Sequence, residues 1–106
     1  MLIAPAWLGS AFVHRNEPWP ATPESLRGTV DIDGKPVLYQ HGLIYPAIAT
    51  LAGQPATAFP VRVGGSGLPI GFQAIGPYLE DRTPIRFVGL VAREFGGFTP
   101  PPGFAS

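Results

Sequence analysis

The sequence predicts an α/β fold of one or two β-hairpins and two helices, joined by long proline- and glycine-rich loops. Three observations carry that expectation. Asp33-Gly34 separates two apolar-containing runs, TVDI and KPVLYQ, and such a loop suits a hairpin because a type I′ turn needs positive φ at both central residues. Two stretches, 43–53 and 82–95, repeat apolar residues at helical spacing behind a proline in the first turn and ahead of a glycine. Finally, 14 glycines and 14 prolines among 106 residues are well above average usage of about 7% and 5%, and they punctuate the chain with loops.

The composition bounds the rest. A chain of 106 residues makes one small unit and no more. Its heavy Pro+Gly load would suit disorder in a polar, charged chain. Here 45% of residues are hydrophobic, 11% aromatic and only 13% charged, which points to a loop-rich piece of a packed protein. A chain this short buries a smaller fraction of its surface than a larger domain. With few charges to cover the outside, part of the apolar surface needs another polypeptide. The formal net charge of zero gives no electrostatic footprint for nucleic acid or an anionic membrane. No cysteine is present, so disulfides and cysteine-ligated metals are excluded. MLIAPAWLGSAF has no Lys or Arg ahead of its apolar stretch, which argues against a secretory signal. No apolar run reaches the roughly 18 residues of a membrane span, and the expected location is the cytoplasm.

The elements follow in order. Residues 1–28 read as irregular and proline-rich, except that LIA at 2–4, closed by Pro5, suits a short buried strand. Pro18, Pro20 and Pro23 exclude helix and central strand around them. A hairpin is expected over 29–39. Over 43–53, Leu43 or Ile44, Ala47 or Ile48, and Leu51 share helical spacing. Pro46 falls in the first turn of that helix, and Gly53 sits where a helix end takes positive φ. A second hairpin spans 56–76. Its first strand, TAFPVRV, contains Pro60, which implies an edge position or a bulge. Gly64-Gly65-Ser66-Gly67 makes the turn, and IGFQAIG reads as an alternating, half-buried strand. Gly71 and Gly76 within it suggest that something approaches the backbone. Over 82–95, Asp81 is a suitable N-cap and Pro84 lies in the first turn, while Ile85, Val88, Val91, Ala92 and Phe95 form one apolar stripe. Gly96-Gly97 stop that helix, and 96–106 is an extended tail.

Candidate chemistry is sparse. Ser66 lacks the glycine two residues later that a nucleophile elbow requires, and a strand rather than a helix follows it. The glycines around it match no phosphate-binding pattern. His14 and His41 lie too far apart in sequence for metal-ligand spacing. Asp31 with Asp33, or Glu80 with Asp81, could be paired carboxylates, but Asp33 is explained by its turn and Asp81 by its capping position. Lys35 flanks a turn, and Arg62, Arg82, Arg86 and Arg93 are spread over solvated faces. Trp7, Phe12, Trp19 and Tyr45 suit core packing or an apolar pocket. No catalytic, cofactor-binding or metal-binding residue is assigned.

Two stretches taken together go further. ATLAGQPA at 49–56 continues as TAFPV, and GLPIGFQAIGP at 67–77 is followed by EDRT at 80–83. With FGGF at 95–98 and PPP at 100–102, this resembles the C-terminal segment of the amidase-signature family. LIAP, AFVH and the Asp-Gly hairpin also resemble family members acting on small amides, so the likeness extends over nearly the whole chain. The resemblance implies a fragment of a mixed β-sheet covered by helices, and metal-free amide hydrolysis by a serine assisted by a second serine and a lysine. In the family those three residues lie upstream of the region represented here. Neither Ser66 nor Lys35 maps onto them. By position, the helix before AGQPA lies near the family's acyl-binding channel, which makes Gly42, Tyr45 and Ala49 candidates for lining substrate.

The expected function is therefore the C-terminal part of an amidase, inactive by itself and not an autonomous domain. Its small-molecule amide substrate would bind only in the full enzyme. Its partner would be the missing N-terminal amidase portion, or a second copy by self-association. A split amidase completed by a separate chain, or a noncatalytic binding module, are the other classes.

Overall fold

A computed structural model describes residues 1–13, 28–65 and 67–104. Ser66, His14, Trp19 and the prolines at 18, 20 and 23 lie outside the described residues. The elements run β1 (Leu2–Pro5), β2 (Thr29–Ile32), β3 (Lys35–Leu38), a 3₁₀ turn (Tyr39–Leu43), α1 (Ile44–Ala52), β4 (Ala56–Val63), β5 (Pro69–Ile75) and α2 (Arg82–Phe95). They form a mixed α/β arrangement with two small antiparallel sheets, one ordered β1-β5-β4 and one the β2-β3 hairpin.

The β2-β3 hairpin turns at Asp33 (φ 54°) and Gly34 (φ 77°), the pair of positive φ values that a two-residue loop of this kind demands. Asp31 Oδ1 accepts the Gly34 N–H at 2.9 Å and ties the turn to its strand. In the larger sheet, β5 is central, with Ile75 opposite both Leu2 and Ala56. Pro60 lies on β4, an outer strand of the sheet, and the register slips between Pro60 and Arg62. The missing N–H of proline is harmless there, and the bulge absorbs the extra residue.

Two strands differ from expectation. Only Ala4 of β1 is buried; Leu2 and Ile3 are each 49% exposed, because β1 is an edge rather than an interior strand. β5 is not half-buried by alternation. Gln73, Ala74, Ile75 and Gly76 are all buried in succession, as in a central strand covered on both faces. Gln73 explains how one polar residue survives there. Its Nε2 donates to the Pro5 carbonyl at 3.1 Å and to the Tyr45 carbonyl at 2.8 Å, joining β5 to β1 and to the start of α1. Replacing it by Leu leaves two carbonyls without that donor. Gln73→Leu is expected to cost about 1–3 kcal/mol, read as a lower urea midpoint for proteolysis of the chain held in its complex with an A subunit lacking the matched segment, whereas Gln54→Leu should leave it within error.

The helices lie where the spacing places them but rotate differently. α1 ends at Gly53 in the left-handed region (φ 64°), whose N–H reaches the Thr50 carbonyl at 3.3 Å, while the Gln54 N–H takes that of Ala49 at 3.0 Å. Its buried residue is Ala49, while Leu43, Ile44, Ile48 and Leu51 face outward. In α2, Pro84 is fully buried and Phe87, Val88, Val91 and Ala92 are half-buried. Ile85 and Phe95, both expected on the inner stripe, are 59% and 82% exposed. Pro84 sets this rotation by packing on Gly76, where an added Cβ would stand 2.6 Å from its Cδ. The close approach expected at the β5 glycines thus occurs at Gly76; at Gly71 the neighbours are at ordinary contact distance. Asp81 does not cap α2. It already has helical angles (φ −53°, ψ −34°) and no side-chain cap bond, whereas a capping side chain works from an extended backbone. The tail is not wholly extended, since the Phe104 N–H closes a turn on the Pro101 carbonyl at 3.0 Å.

Candidate functional site

One cleft, of about 690 Å³, gathers side chains from several segments. It lies where the segment after β1, the β2-β3 turn, the start of α1 and the β4-β5 turn converge. Trp7, Tyr45, Ile70 and Phe72 give it apolar and aromatic walls, and Asp31 and Asp33 supply carboxylates. Gly64 and Gly65 border it without side chains, in a turn closed by the Gly64 N–H on the Leu68 carbonyl at 2.8 Å.

Trp7 is the best-fixed wall. Its ring stands 5.6 Å from that of Tyr39, tilted by 54°. The edge carrying Cε2, Cζ2 and Cη2 lies against Gly42 so closely that an added Cβ would overlap it. The glycine thus admits the indole. Trp7 Nε1 is buried without a hydrogen-bond partner among the described residues. A buried N–H of that kind normally finds an acceptor.

The three candidates for lining substrate are placed differently. Tyr45 borders the cleft directly and is half-buried. Gly42 is buried one layer behind, beneath Trp7. Ala49 is 5% exposed on the same side of α1 and is not among the residues bordering the cleft. Ser10, Ile70, Phe72, Gly64 and Gly65 escaped sequence reasoning. The alternation of β5 places Ile70 and Phe72 on one face, which was the only available signal, and nothing local linked that face to Trp7.

The described residues that border the cleft offer a ligand apolar, aromatic and carboxylate contacts. Ser10 borders the cleft, and among the described residues no histidine or lysine does. Asp31 and Asp33 are both exposed, and one oxygen of Asp31 is engaged by its own turn. Among the described residues, no group of three His, Cys, Asp or Glu side chains could hold a metal ion, and no helix is long and apolar enough to cross a membrane.

The chain is similar to the A subunits of glutamyl-tRNA(Gln) amidotransferase from Brucella ovis, from Brucella abortus (strain S19) and from Brucella anthropi. In each case 34% of residues are identical over 83 positions, which make up 76% of this chain and 17% of the relative. The chain thus spans about a sixth of the length of the curated relatives it matches. No family model and no solved structure matches it.

Proposed function

We propose, for a chain that is an amidase-signature sequence over three quarters of its length, that it forms the C-terminal part of an amidase. In that reading it adds strands, helices and one wall of the acyl pocket to a catalytic centre whose two serines and lysine lie on residues it does not contain. One observation carries the reading: most of this chain aligns, but with only 17% of each relative. The two small sheets then belong to the mixed, helix-covered sheet of the amidase-signature fold, and 1–106 is not a self-sufficient domain. Gly42, Tyr45 and Ala49 stand on the side of α1 that would face the acyl group, with Tyr45 in contact and the other two shaping the backbone behind it. The relatives' name describes amide chemistry on glutamyl-tRNA(Gln); for this chain the proposal is a carboxylic amide substrate, handled in the cytoplasm once the body of the enzyme is present.

The test is direct. The purified chain, given a simple aryl amide, is expected to release no arylamine above the buffer rate. Turnover that disappears on replacing Ser10 or another residue of 1–106 would sink the proposal.

A further inference from the structure

A helix at a protein surface ordinarily turns its large apolar side chains inward and its small or polar ones out. α1 does the reverse. Gly42 and Ala49 are the buried residues at its start and on its inner side. Leu51 is 87% exposed, Ile44 57%, Leu43 48% and Ile48 37%. Nor is the surface broken by charge: from residue 36 to residue 79 Arg62 is the only Asp, Glu, Lys or Arg. An unbroken apolar face of this kind marks an interaction surface.

The same unmet demand recurs at β1. The Ala6 N–H bonds to the Gly71 carbonyl. By antiparallel alternation, Leu2 and Ala4 also direct their bonds to β5, and Ile3 directs its N–H and carbonyl to the open side. At the opposite edge β4 is guarded by Pro60 and a bulge.

We propose that the outer face of α1, centred on Ile44, Ile48 and Leu51, is the seat on which the rest of an amidase-signature body rests; this builds on the functional reading above. Two facts favour that occupant over a second copy. The relatives extend far beyond the matched part, which is 17% of their length. And α1 has nine residues, about 13 Å of helix, so two such faces back to back fall well short of the roughly 1,200 Å² that a stable dimer buries. A larger body can enclose the helix on several sides.

The test co-expresses the tagged chain with the Brucella abortus A subunit from which the matched segment has been deleted, so that both fold together. The deleted subunit is expected to co-purify, and Ile44→Glu with Leu51→Glu should lower its recovery by about tenfold or more, because a carboxylate would be buried unpaired. Phe95→Glu, on the equally exposed end of α2, should leave recovery within about twofold. Equal recovery with the α1 double variant overturns the assignment of the face and leaves the fragment reading standing. No recovery with the unaltered chain overturns both. Loss with Phe95→Glu as well would mean indiscriminate apolar adhesion and overturn the face. A dimer of the chain alone, split by the α1 double variant, would give the face to a second copy and also overturn it.

Discussion

Ile75→Ala is expected to destabilise the three-stranded sheet by about 2–5 kcal/mol, the range for deleting a buried aliphatic side chain from a core that cannot close over the gap. Ile75 is 2% exposed and is one of the two largest fully buried side chains, the other being Pro84. It stands in the central strand with Leu2 on one flank and Ala56 on the other. Neither neighbour can fill the space: Ala56 is too short, and Leu2 belongs to a four-residue edge strand with little to hold it. The next residue, Gly76, ties the strand end to the Pro55 carbonyl at 2.8 Å. Loss of the side chain should therefore loosen the joint between α1 and β4 as well as the sheet. Pulse proteolysis across a urea series, following the tagged chain within its complex with the deleted A subunit, measures the cost. Ile75→Val should lose about 0.5–1.5 kcal/mol, and Ile70→Ala, 36% exposed at the start of the same strand, should lose less than Ile75→Ala. If the Ile70 and Ile75 variants unfold alike, the central position of β5 is wrong.

Gly42→Val should be nearly as damaging, for the opposite reason. Here the fault is an excess of atoms: the new Cβ would occupy the space of the Trp7 ring. Either the indole leaves its place beside Tyr39 or the 3₁₀ turn shifts away from it, and such overpacking costs about 1–3 kcal/mol. The outcome has its own signature, because a displaced Trp7 meets water and its emission moves to the red. The measurement belongs in a Trp19→Phe background, so that Trp7 is the sole indole. Gly89→Ala supplies the control: Gly89 lies inside α2 with nothing within 4 Å of an added Cβ, and there alanine should stabilise by about 0.5–1 kcal/mol. An unchanged emission maximum in Gly42→Val would show that the glycine is not what admits the indole.

The cleft was legible only in part. Trp7 and Tyr45 are visible in the sequence as aromatics near irregular segments, and the family resemblance singled out Gly42, Tyr45 and Ala49. Ile70 and Phe72 were not linked to them, although their pairing partners lie in plain sight: Phe59 opposes Phe72, with ring centroids 6.5 Å apart. The separation in sequence is the reason. Trp7, Asp31, Tyr45 and Phe72 reach one cleft from three different elements and the segment after β1, and no short-range pattern encodes a meeting of that kind.

What the sequence alone determined is local. The Asp33-Gly34 turn needs two positive φ values, and few residue pairs accept them. Gly53 ends α1 for the same reason, and Pro60 restricts its strand to an edge because proline has no N–H to give. These are properties of single residues and their nearest bonds, so they survive whatever surrounds them. Tertiary structure decided which way each element faces. The spacing of Leu43, Ile44, Ile48 and Leu51 announced a helix with an apolar side, yet that side points outward; Ile85 and Phe95 left the inner stripe of α2 once Pro84 settled on Gly76; Asp81 was already helical and could not cap. Periodicity records that a helix or strand has two unlike sides. Which side is buried depends on where the rest of the polypeptide lies, and spacing within one element carries no record of that.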